Sequence, residues 1–256
     1  MNEYVDLQRD GAVATILLNR PTAYNALNEK MRLQLAQTVA EVENDSSLRV
    51  VVLAGAGRGF CAGADIRARS AKTSGEVLEQ EFRSCLEPIW KSDKIYIAAV
   101  HGHAAGIGTA FALACDLVVM EKTAKLTLAF AAIGLIPDGG LCWHLTRALG
   151  PRRALEVIAE GQSLDAMMCF ETGLANKVVD TQTALASARA WADTLAGTAP
   201  LALSAAKRLI AQAGQMNISD LFSREATEQT RLGQTEDHER GVAAFLARKP
   251  PAFKGD

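Results

Sequence analysis

An α/β fold is what this 256-residue chain predicts, and three features of its order carry the prediction. Short, almost wholly apolar runs at 13–18, 50–54 and 95–100 have the length of strands buried on both faces. Two of these runs lead straight into glycine-rich loops, and the second loop opens a helix. Beyond Leu141 the pattern is almost entirely helical. Strands that alternate with helices build an open sheet that binds ligands at the carboxyl ends of its strands.

In chain order, residues 4–9 and 13–18 read as two strands around a turn at Asp10-Gly11. Asn28 precedes a helix to about Asn44, with Met31, Leu35, Val39 and Val42 along one face. The strand 50–54 ends in Gly55-Ala-Gly-Arg-Gly-Phe-Cys-Ala-Gly63, and 74–91 reads as helix. The strand 95–100 is followed by His101-Gly-His-Ala-Ala-Gly-Ile-Gly108, a helix of small residues to about Cys115, and a strand at 117–120. After Asp138-Gly-Gly only 177–180 reads as strand. A boundary near Gly197-Thr-Ala-Pro200 divides the chain into a core, 1–196, and a helical region, 197–256.

Composition narrows the function. A net charge of −2 supplies no basic field for nucleic acid. Five scattered cysteines lack any C-x-x-C pair and cannot all pair within one chain, which fits free thiols in a reducing compartment. Met1-Asn-Glu-Tyr4 lacks the layout of a secretory signal, so a cytoplasmic protein is expected. The apolar stretch 95–120 is interrupted by His101, His103, glycines and Asp116, and reads as strand, turn and helix rather than a membrane span. No histidine–carboxylate cluster has metal-ligand spacing.

The two strand–glycine loop–helix units are the candidate site. Glycine permits positive φ and close approach of a ligand to the backbone. A helix that starts at such a loop directs free N–H groups outward. Two such loops on neighbouring strands can aim two N–H donors at one oxygen, the arrangement of an oxyanion hole. Taken singly, such loops more often only close a turn or allow packing. Neither matches the phosphate loop or the dinucleotide spacing.

The residues Asn19-Arg-Pro-Thr-Ala-Tyr-Asn-Ala-Leu27, Phe60-Cys-Ala-Gly-Ala-Asp-Ile66, Ala99 to Gly108, Ala114-Cys-Asp116, Ile133-Gly-Leu-Ile-Pro-Asp-Gly-Gly140, Arg147-Ala-Leu-Gly150, Ala166 to Val179 and Glu236 to Lys254 occur in family order. On them the chain resembles the crotonase family, the enoyl-CoA hydratase/isomerase superfamily, over nearly its whole length. The resemblance implies a spiral of β-β-α units with a C-terminal helical trimerisation region, assembled as a homotrimer or a dimer of trimers. It implies an acyl-CoA substrate whose thioester oxygen is held by the N–H groups of Ala64 and Ile107. Coenzyme A enters as part of the substrate, and no separate cofactor is expected. Its contacts carry over to Ala23, Tyr24, Ala62, Asp65, Ile66 and Gly106, with Phe245 near the adenine and Arg248 near the 3′-phosphate.

At the two positions where hydratases of the family carry glutamate, this chain has Ala110 and Phe130. Neither side chain moves a proton, so two-glutamate hydration is not expected. Asp138 stands where double-bond isomerases of the family carry a carboxylate. The expected reaction is therefore isomerisation of a 3-enoyl-CoA to a 2-enoyl-CoA, or a ring-type isomerisation, with Asp138 as proton shuttle. Phe130, Ile133 and Leu135 are the residues expected to desolvate it. Pro-Asp-Gly is also turn chemistry, and local sequence alone favours a helix cap at Asp138; the family position favours catalysis. His103 and His144 lie near the motifs and read as structural, and Cys61 and Cys142 lack an evident base for a thiolate nucleophile. Glu76, Glu79 and Glu81 read as a solvated helix face. A hydratase with another acid/base, and a non-catalytic acyl-CoA-binding homologue, are the alternatives.

Overall fold

In the computed structural model, residues 3–68 and 71–256 are described. They divide into two compact units, Met1–Ala192 and Asp193–Asp256.

The first unit is built on a six-stranded sheet. Strands β1 (Val5–Asp10) and β2 (Val13–Leu18) form an antiparallel hairpin whose turn uses Gly11 at φ 55°. From β2 the sheet continues in parallel through β3 (Val50–Gly55), β4 (Ile95–Val100), β6 (Leu117–Glu121) and β9 (Lys177–Val179). Every residue of β4 is buried, as its unbroken apolar run requires. Helix α1 (Glu29–Asn44) starts where Asn28 Oδ1 accepts the Met31 N–H, and it buries Met31, Leu35, Val39 and Val42.

A second, three-stranded sheet joins β5 (His103–Ala105), β7 (Lys125–Thr127) and β8 (Ser163–Asp165). None of these was expected from the sequence. Each is three residues long, too short to show a period of two. β5 lies inside the second glycine loop and gives it a fixed backbone.

The segment expected as one helix consists of α2 (Ser74–Val77), a π-helical turn at Leu78–Phe82 and α3 (Arg83–Lys91). Thr73 and Glu76 close a capping box at its start. The wider π turn changes the phase of the helix. Glu79 stays on the surface beside Arg83, whereas Glu81 turns inward and is buried. The expectation of a solvated face fails at that residue.

Helices α4 (Ile107–Ala114), α5 (Leu141–Ala159), α6 (Ala166–Glu171) and α7 (Ala184–Ala196) follow. The second unit holds α8 (Pro200–Ala213), α9 (Ile218–Leu232) and α10 (Glu236–Ala247). There the end of the chain is tied to α10: Asp237 accepts the N–H groups of Lys254 and Gly255, and Arg240 pairs with Asp237 and Asp256.

Candidate active site

The site is assembled from the loops that follow β3 and β4. Two isolated parallel bridges lace them into place, Leu27 with Ala64 and Cys61 with Ala104. The Leu27 N–H donates to the Gly63 carbonyl at 2.8 Å, and the Asp65 N–H donates to the Leu27 carbonyl at 3.2 Å. The Gly63 carbonyl and the Ala64 N–H share one planar trans peptide and point in opposite directions. With the carbonyl turned to Leu27, the Ala64 N–H faces away from it.

The other loop ends at Gly106, with φ 53° and ψ −130°, directly before α4. The Gly106 N–H is used by Thr127, and the N–H groups of Thr109 and Ala110 return to the Gly106 carbonyl. Ile107, the first residue of α4, has no intrahelical acceptor for its N–H. Among the described residues, neither the Ala64 nor the Ile107 N–H meets an acceptor. Gly63 brings the two together: a Cβ placed on it would lie 2.6 Å from the Ala105 oxygen and 3.6 Å from the Ile107 nitrogen. A side chain there would separate the loops.

Asn25 holds the first loop from beneath. It is fully buried at φ 57°; its Nδ2 faces the carbonyls of Ala56, Gly59 and Phe60, and its Oδ1 accepts the Arg20 N–H. Its neighbour Tyr24, at φ 51°, accepts the Ala62 N–H on its carbonyl and stacks under Arg58. Asp65 pairs with Arg20 at 2.6 Å, which holds its carboxyl below the usual range. Ala23, Tyr24, Ala62, Asp65 and Ile66 therefore share one loop cluster, with Tyr24, Ala62 and Ile66 exposed. Sequence reasoning missed Arg20 and Asn25. Asn25 falls inside a matched motif, but its carbonyl partners lie more than 30 residues away.

Asp138 sits in the turn before α5. The cap position is Gly140, and no side chain caps the helix, so the cap role open to Asp138 is not taken. The carboxyl is half-buried, and its Oδ1 has no hydrogen-bond partner among the described residues. Burial pushes it up to about 6, against the opposing effect of its own backbone N–H. The turn rests on α4. A Cβ on Gly139 would lie 2.6 Å from both the Ala110 Cβ and the Ile107 Cδ1, and 3.3 Å from the Leu86 Cδ1. One on Gly140 would lie 3.4 Å from the Trp90 ring and 3.7 Å from His144. The apolar groups at this turn are thus Ile107, Ala110, Leu86 and Trp90. Ile133 and Leu135, expected in that role, are 57% and 47% exposed; Ile133 belongs to a short helical turn, Ala131–Ile133, that buries none of its residues. Phe130 is buried, with its ring near Gly106.

The remaining candidates separate. Burial, with Arg147 adding to it, pushes His144 down to about 4, so its ring is neutral beside the Asp138 turn. Burial pushes the Cys61 thiol up to about 12, which removes it as a nucleophile. Cys142 is exposed. Phe245 and Arg248 belong to the second unit. Phe245 is 82% exposed at the edge of a cavity of about 580 Å³ within that unit, and Arg248 ends α10 at φ 52°. No group of metal-ligating side chains occurs among the described residues. Nor is any described helix long and apolar enough to cross a membrane.

A largely parallel sheet whose adjacent glycine loops leave the Ala64 and Ile107 N–H groups without acceptors among the described residues, with a half-buried carboxyl in a turn packed on α4, defines the candidate site. Comparison with known proteins gives the family. The family model described as enoyl-CoA hydratase/isomerase matches residues 8–256. The chain is 35% identical to 1,2-epoxyphenylacetyl-CoA isomerase of Escherichia coli K12, with 100% of each chain covered. It is 33% identical to 2,3-dehydroadipyl-CoA hydratase of the same organism, again with 100% of each covered. The crystal structure of an enoyl-CoA hydratase from Polaromonas sp. JS666 superposes with a TM-score of 0.91 at 32% identity, covering 98% of this chain and 99% of that one. The chain belongs to the enoyl-CoA hydratase/isomerase family and has its crotonase fold.

Proposed function

We propose that the chain is an acyl-CoA double-bond isomerase in which Asp138 carries the proton. The Asp138 carboxylate takes a proton from C2 of a 3-enoyl thioester. The electron pair moves to the thioester oxygen, which accepts the N–H groups of Ala64 and Ile107; each such donor contributes about 3 kcal/mol to the transition state. The same carboxyl returns the proton at C4, leaving the 2-enoyl thioester. A ring-type isomerisation uses the same steps.

The observation that carries this reading is the Asp138 carboxyl, desolvated, unpartnered at Oδ1 and brought near neutrality. A proton carrier works best with a pKa close to the working pH. Ala110 and Phe130 supply no second carboxyl. Hydration with another acid/base draws on the neutral His144 beside the same turn and on the relative named as a hydratase.

Parallel assays with 3-enoyl-CoA and 2-enoyl-CoA separate these readings. Appearance of the conjugated chromophore from the 3-enoyl substrate reports isomerisation, its loss from the 2-enoyl substrate reports hydration, and tight binding with neither change identifies a non-catalytic acyl-CoA protein. Asp138→Asn is expected to abolish isomerisation with acyl-CoA affinity nearly intact; unchanged turnover overturns the assignment. The proposal extends to a cytoplasmic homotrimer or dimer of trimers in which Phe245 and Arg248 meet the adenine and the 3′-phosphate. Sedimentation tests the assembly. A weaker response of Arg248→Ala than of the unaltered protein to removal of the 3′-phosphate tests the contact.

A further inference from the structure

Arg32 and Glu81 form a buried ion pair that no step of the proposed chemistry uses. Their side chains are 8% and 7% exposed, and Arg32 Nε meets Glu81 Oε2 at 2.6 Å. The second oxygen of Glu81 accepts Lys72 at 2.9 Å. Removing two charges from water offsets most of their attraction, so such a pair is a weak source of stability. Its geometry suits orientation better. The guanidinium is a rigid fork. While Nε engages Glu81, Nη1 donates to the Leu27 carbonyl at 2.8 Å, and Cζ lies 5.3 Å from the Phe82 ring centre.

Leu27 is the residue that brackets Ala64. Its carbonyl accepts the Asp65 N–H as well as the Arg32 fork, and its N–H fixes the Gly63 carbonyl. Because the Gly63 carbonyl and the Ala64 N–H lie in one rigid peptide plane, a rotation of Leu27 would re-aim the Ala64 N–H. Glu81 lies in the π turn and is buried there. We infer that Arg32, held by Glu81, is a positioning residue that aims the Ala64 N–H by fixing the orientation of Leu27. The inference rests on the reading of Ala64 as a donor to the thioester oxygen.

The test is the carbonyl stretch of butanoyl-CoA, labelled with carbon-13 at the thioester carbon and bound to the full chain. A saturated thioester does not turn over, so the band reports polarisation by the two donors whichever reaction the protein catalyses. In the unaltered protein the band is expected below its position in water. Arg32→Lys keeps the positive charge but replaces the rigid fork, whose Nε and Nη1 reach Glu81 and Leu27 in fixed directions, with a single nitrogen on a flexible stem. It is expected to lose at least half of that displacement and to lower kcat by about 10- to 100-fold with KM little changed, the scale of a misaimed catalytic group. Glu81→Gln, which keeps shape and removes the anion, is expected to lose a smaller part. If both variants keep the full displacement and kcat and only melt earlier, the pair is structural and the inference is overturned. If the unaltered protein shows no displacement, the donor reading itself fails, and the inference with it.

Discussion

Asp138 and Asn25 are both polar residues set among buried groups, and they pull in opposite directions. Folded Asp138 keeps its proton up to about pH 6. Its contribution to stability is therefore complete below the ordinary value near 3.8 and is lost as pH rises through about 6. Asp138→Asn removes that loss. The melting temperature of the variant minus that of the unaltered protein should grow from about pH 4 to about pH 8, as scanning calorimetry would show; a flat difference contradicts the burial argument. Activity has the reverse dependence. A base must be ionised, so kcat/KM should fall with a single ionisation as pH drops through about 6. Asn25, by contrast, is fully satisfied. Asn25→Ala strands the carbonyls of Ala56, Gly59 and Phe60, at a cost of about 2–4 kcal/mol measurable by urea denaturation.

Among the elements, the glycine loops depend on close backbone approach. Gly63→Ala would put a Cβ 2.6 Å from the Ala105 oxygen at φ 92°, where side chains are already strained. The loops must part, so kcat should fall while the variant still folds, a split read from steady-state kinetics beside a melting curve. The same logic governs Gly139, whose positive φ and contact with Ile107 and Ala110 seat the Asp138 turn on α4. Isoleucine at 107 thus does more than supply an N–H, since its side chain is part of that seat. Local sequence predicted the main sheet strands and the helix after Asn28 because their apolar periods are long enough to count. The second sheet escaped because three-residue strands carry no period, and the π turn escaped because a change of helical phase leaves no compositional mark.

For the molecule as a whole, each of the two compact units offers its own handle. In the second, burial raises the Asp237 carboxyl, but Arg240 and the N–H groups of Lys254 and Gly255 outweigh it and hold the group below the usual range. The stability this adds is present above the unfolded value near 3.8 and lost as pH falls through the lower folded one. Asp237→Asn should weaken the same tie at neutral pH. Hydrogen exchange at Lys254 and Gly255 should then rise well ahead of exchange in α8; equal protection would show that the tail is held by something else.

By itself the sequence determined the α/β class, the two glycine loops, the family and the absence of a second carboxylate at Ala110 and Phe130. These follow from residue identity and from periods along the chain. Only the tertiary structure decided that Asp138 caps nothing, that Ile133 and Leu135 stay exposed while Ile107 and Ala110 support its turn, and that Arg32, Glu81 and Leu27 stand behind Ala64. Most of those facts depend on groups far apart in sequence meeting in space, and desolvation and hydrogen-bond partnership exist only once they have met.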